Sequence, residues 1–274
     1  MHLKTAFHEI AEHCLFDPSI EGKLAVTDRA AEILGRDGFD FSYPVDKPPR
    51  PASDVRFPER PRLVEPRQLP RRGLNTRAGL TAFLHAIAHI EFTAIQLAWD
   101  MAYRFRGLPE DFYRDWLRVA IEEASHFRAL CGRLRDLGSG YGRLPAHRGL
   151  WELAEDTQGD VLHRLALVPR FMEARGLDVT PAMIVKLEQM GDAETVDILT
   201  LILREEIGHV AIGSRWFEFV CRQRGLNPED EYFSLIQRYI QGGVRGPFNK
   251  AARRQAGFSE AELERLDKLD TISA

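Results

Sequence analysis

Two stretches of this sequence read almost alike: Ile121-Glu122-Glu123-Ala124-Ser125-His126-Phe127 and Arg204-Glu205-Glu206-Ile207-Gly208-His209-Val210. Each holds Glu-x-x-His inside a long apolar segment with helical period. Residues three apart share one face of a helix, so Glu123 with His126, and Glu206 with His209, can each grip one metal ion. Two such pairs, with one further Glu on each of two other helices, form the ligand set of a di-iron or di-manganese carboxylate bundle. One Glu-x-x-His arises often by chance. Two on matching helices are far more specific.

The lone glutamates follow from burial and spacing. Around Glu91 the helical neighbours are Leu84, Ile87, Ala88, Ala94, Ile95 and Ala98, all apolar. An unpaired carboxylate in such a stripe costs several kcal/mol, so a positive charge is expected there. Glu123 sits among Trp116, Val119, Ala120, Phe127 and Leu130, whereas Glu122 faces the wetter Asp115, Arg118 and Ser125. Glu205 and Glu206 both have apolar neighbours, and the Glu-x-x-His register selects Glu206. The fourth carboxylate is less distinct, with Glu152, Glu155, Asp156, Asp160 and Glu173 as candidates. Glu91 and Glu123 are 32 residues apart and Glu173 and Glu206 are 33 apart, and this match selects Glu173. Glu122, Glu205 and His89 are expected behind the ligands, orienting the histidines as metal-bound imidazoles require. His85 and His163 read as structural.

These residues need long helices to position them. The first is expected from Thr76 to Phe105 and the second from Pro109 to Asp136, with Gly107-Leu108-Pro109 as the turn. Glu91 and Glu123 lie equally far from that turn, so an antiparallel pair levels them. A Gly-rich crossover follows from Gly138 to Gly149. The third helix is expected from Leu150 to Arg175, kinked at Pro169, broken at Gly176 and Pro181, and continued over Thr180–Met190. The fourth runs from Ala193 to Arg224 and is capped by Gly225. Asn227-Pro228 starts a further helix through Tyr232 to Gln241, and a capping box at Ser259–Glu262 opens a helical tail. Ahead of the bundle, Leu3, Phe7, Ile10 and Cys14 mark one short helix, and Leu24, Ala30, Ile33 and Leu34 a second.

Between Pro44 and Pro70 lie eight of the fifteen prolines, interleaved with arginines, which excludes helix and interior strand. Val55, Phe57, Leu63, Val64 and Leu69 give this stretch apolar anchors, so it reads as an ordered strap on the bundle. The expected organisation is therefore 1–75 for N-terminal helices and strap, 76–224 for the bundle with its di-metal site, and 225–274 for a C-terminal helical extension.

Composition closes off other classes. The chain is 44% hydrophobic and 28% charged, as a water-soluble core requires, and its formal charge of −4 gives no basis for bulk binding to nucleic acid or membrane. Charged residues follow too soon after Met1 for a signal peptide, and Cys14, Cys131 and Cys221 make neither a disulfide framework nor a Cys-x-x-Cys site. A cytoplasmic protein with reduced thiols is expected. A homodimer is compatible with the sequence.

At His89-Ile90-Glu91, Glu122 to Phe127, Leu167-Val168-Pro169-Arg170-Phe171-Met172-Glu173-Ala174-Arg175-Gly176-Leu177-Asp178 and Glu205 to Val210, the sequence resembles the ferritin-like superfamily. Within it, the chain is similar to the bacterial DUF455 family over residues 76–224, and the strap fits the same likeness. The resemblance implies an all-α ferritin-like four-helix bundle with a di-metal centre, but no particular reaction, because fold is poor evidence of function.

Glu91, Glu123, His126, Glu173, Glu206 and His209 then hold two ions whose charge the four carboxylates balance. The oxygen-rich set favours iron, with manganese or a mixed iron–manganese pair as alternatives. An oxidase or hydroxylase using dioxygen and a small-molecule substrate is the expected function. The alternative is non-enzymatic metal binding, iron storage or detoxification. The roughly 75 residues before the bundle and 50 after it argue against a minimal storage cage. No tyrosine neighbours the motif residues in sequence, so a tyrosyl radical is not expected.

Overall fold

The computed structural model describes residues 4–42, 47–69, 73–240 and 244–273. Leu3, Pro44, Pro70 and Gln241, which carried parts of the sequence reading, lie outside them. The described residues form an all-α protein of eleven α-helices, and their strands are limited to a two-residue parallel pair, Thr5–Ala6 with Phe39–Asp40. The chain divides into two compact units, Met1–Gln158 and Gly159–Ala274.

The first unit opens with α1 (Phe7–Phe16) and α2 (Ile20–Gly35), parted at Asp17-Pro18 as the sequence predicts. Its main element is α3 (Arg77–Arg104), followed by α4 (Glu110–Asp136) and the short α5 (Gly149–Asp156). The Thr76 hydroxyl accepts the Gly79 N–H and so fixes the start of α3. α3 packs against α4, α1 and α5, and every residue from Glu91 to Arg104 is buried. It is the one helix among the described residues long and apolar enough to cross a membrane, and its apolar composition fits a helix whose second half is covered by protein on every face. Trp99 shows the covering: its ring stacks on Phe7 of α1, and its indole N–H donates to the Thr27 hydroxyl of α2 at 3.0 Å.

Residues 47–69 of the proline-rich strap are extended, with short 3₁₀ turns at Ala52–Asp54 and Pro66–Gln68. Several of its backbone groups bond to the rest of this unit. The Arg56 N–H reaches the Leu15 carbonyl, the Val64 N–H the Ala146 carbonyl, and the Ala146 N–H the Arg62 carbonyl. At the far end of α3, the Tyr103 hydroxyl accepts the Arg50 N–H, and Arg104 donates to the Arg50 carbonyl.

The second unit contains α6 (Val161–Leu167), a π-helical turn (Val168–Glu173), α7 (Ala174–Gln189), α8 (Ala193–Arg224), α9 (Pro228–Tyr239), α10 (Lys250–Gln255) and α11 (Glu260–Ser273). α7 and α8 form a hairpin around Gly191, whose φ of 74° is one that glycine adopts without strain. The expected third helix is corrected here. It breaks at Gln158-Gly159, where Asp160 caps α6 by accepting the Leu162 N–H, and it does not break at Gly176 or Pro181. Pro181 has no N–H for the Leu177 carbonyl, and Asn249 Nδ2 donates to that carbonyl at 3.1 Å instead. Pro169 does distort the helix, as expected, and the distortion takes the form of the π-turn.

Candidate metal centre

In the first unit α3 and α4 bring Glu91, Glu123 and His126 together. All three are buried, and their ligand atoms lie within 4.8 Å of one another. His126 Nδ1 is 3.2 Å from Glu91 Oε2 and 3.5 Å from Glu123 Oε2. Burial pulls the imidazole pKa down, but the Glu123 and Glu91 carboxylates overcome it and push the value up to about 11. Two carboxylates and an imidazole converge in an apolar interior, and once the imidazole gives up its proton their oxygen and nitrogen atoms could hold a metal ion. The tilted pair Phe92 and Phe127, centroids 5.2 Å apart, follows Glu91 and His126 directly in sequence and adds apolar cover.

The second unit carries the other three residues. Glu206 and His209 face one another across one turn of α8, with His209 Nδ1 3.7 Å from Glu206 Oε2; His209 is buried and Glu206 partly exposed. Glu173 is half-buried and is the last residue of the π-turn. π-turns inside helices often mark functional sites. Glu152 is exposed on α5 and has no such setting.

The residues expected behind the ligands stand in different settings. Glu205 pairs with its neighbour Arg204 at 3.2 Å, and Glu122 is half-buried on α4. His89 binds the 138–149 loop with both ring nitrogens: Nε2 lies 3.0 Å from the His147 carbonyl and Nδ1 2.8 Å from the Tyr141 hydroxyl. A carbonyl can only accept, so Nε2 carries the proton and Nδ1 accepts from Tyr141. His85 supports the same loop by accepting the Gly142 N–H at Nε2, 2.9 Å away. Burial depresses the pKa of both imidazoles to about 4, which keeps them neutral. His163 meets the Tyr239 hydroxyl at 2.9 Å, a structural partner as the sequence implied.

Tyr141 escaped the sequence reading. Its ring packs edge-on to Phe127 at 4.9 Å and lies 5.7 Å from Phe92, placing a tyrosine beside the residues that flank two ligands. Only its place in a Gly-x-Gly loop hinted at a fixed position.

The family described as protein of unknown function (DUF455) matches residues 16–264. An uncharacterized protein of Haemophilus influenzae is 47% identical over 215 residues, covering 76% of this chain and 75% of the relative. No solved structure matches the chain significantly. With nearly its whole length matched, this chain belongs to the DUF455 family.

Proposed function

We propose that this protein is a di-metal carboxylate oxidase or hydroxylase that uses dioxygen on a small organic substrate. The proposed ligands are Glu91, Glu123 and His126 on α3 and α4, Glu173 at the end of the π-turn, and Glu206 and His209 on α8, the set that a ferritin-like four-helix bundle would use. The buried convergence of Glu91, Glu123 and His126 carries this reading. Four carboxylates neutralise two divalent ions, so the charged ligands are tolerated in an apolar interior. Each Glu-x-x-His turn holds one carboxylate and one imidazole on the same helical face. Phe92 and Phe127 help keep bulk water from the first group of ligands. Bound as a ferrous pair, iron supplies the electrons for dioxygen reduction.

The test is elemental analysis of the purified protein, then oxygen uptake after anaerobic loading with ferrous iron. About two irons per chain with rapid oxygen consumption is expected. Absence of metal uptake overturns the centre. Uptake far beyond two irons, without substrate-dependent turnover, replaces the oxidase reading with storage.

A further inference from the structure

We propose that the C-terminal extension positions Glu173, through the buried ion pair between Arg170 of the π-turn and Glu262 of α11. The inference rests on the reading of Glu173 as a metal ligand.

A π-turn takes one residue more than an α-turn. Relaxing it would rotate the side chains beyond it by about 100° relative to those before it. The direction in which Glu173 points therefore depends on the turn keeping its form. Such turns are uncommon and need outside support, and here three features supply it. Gly213 of α8 lies against Pro169, where a Cβ would sit 2.5 Å from the proline Cβ, so only glycine admits the ring at this spacing. The Tyr232 hydroxyl of α9 donates to the Arg170 carbonyl at 3.0 Å. The third support is the Arg170 side chain.

That guanidinium is buried. Nε donates to the Ser214 hydroxyl at 3.1 Å, and Nη2 donates to both Glu262 oxygens at 2.9 and 3.1 Å. Phe217, Tyr232 and Phe258 surround it, with ring centroids 4.6 to 4.9 Å from Cζ. Glu262 also closes the capping box of α11: its carboxylate accepts the Ser259 N–H, and the Ser259 hydroxyl accepts the Glu262 N–H. One carboxylate therefore starts the last helix and holds the π-turn. Arg170 is a positioning residue, acting on the centre only through Glu173.

A second buried pair separates this role from general bracing. Arg253 of α10 binds Asp178 of α7 at 2.6 and 2.9 Å. It fastens the same extension but lies outside the π-turn.

The experiment compares full-length wild type, Glu262→Gln and Arg253→Lys, each loaded with cobalt(II). Bound cobalt, visible absorption and thermal midpoint are read. Both variants should melt earlier. Glu262→Gln should lower bound cobalt from about two ions per chain to about one and change the absorption, whereas Arg253→Lys should keep the wild-type content and spectrum. Wild-type cobalt content and spectrum in Glu262→Gln overturn the proposal, as does equal metal loss in both variants. If Glu262→Gln does not fold, Ser214→Ala takes its place, with weakened binding of one ion expected and unchanged binding fatal. A wild type that binds no cobalt sinks the metal centre itself and the inference with it.

Discussion

The two groups of candidate ligands are built to different standards. Glu91, Glu123 and His126 stand on two regular helices and are all but sealed from solvent. In the second unit His209 is equally buried, but Glu206 and Glu173 are only partly so, and Glu173 depends on a distorted turn. The first group is preorganised, its geometry fixed by close packing before any ion arrives. The second has room to adjust. In the proposed di-metal centre this division would let one ion be held firmly while the other exchanges ligands.

Substitution tests the contrast most directly. Glu123→Ala should remove essentially all metal, because it dismantles the preorganised group, while Glu206→Ala should retain about one ion per chain. Elemental analysis after desalting measures both, and equal losses would erase the contrast. Acid should also separate the units. The folded pKa of His85 is about 4, below the unfolded value of about 6.5, so its neutral form contributes stability that is complete above ~6.5 and lost as pH falls toward 4. The loss amounts to at most about 3 kcal/mol. Urea unfolding at pH 7 and pH 4.5 should show it in wild type, with a shallower pH dependence in His85→Gln.

Smaller effects sharpen the picture of each unit. A proline inside a helix costs ~3 kcal/mol or more, yet Pro181→Ala should gain only about 1 kcal/mol, because Asn249 already satisfies the Leu177 carbonyl. Denaturant unfolding measures that gain. Glu152→Ala, on the exposed side of α5, should leave metal content unchanged, and a loss there would mean that spacing chose the wrong carboxylate.

Much of this was legible because it is local. α3, α4 and α8 fall within a residue or two of their predicted limits, since their apolar periodicity is long and their ends carry Thr76, Pro109 and Gly225. Glu91 and Glu123 stood out for the same reason, as carboxylates in unbroken apolar stripes. Long-range partners were not legible. The helix passes Pro181 because of Asn249, far along the chain, and His89 turns to a loop that follows it by some fifty residues. Tyr141 entered the story only through packing.

The complete burial of α3 beyond Glu91 has a further consequence, for the way the chain can be shortened. A helix with this composition would be at home in lipid, and α1 and the proline-rich strap are part of what covers it here. Helices α1 and α2 and the described part of the strap act as an internal solvent for the helix that follows. A fragment starting at α3 would expose an apolar surface that water does not tolerate, and it would be expected to aggregate rather than fold.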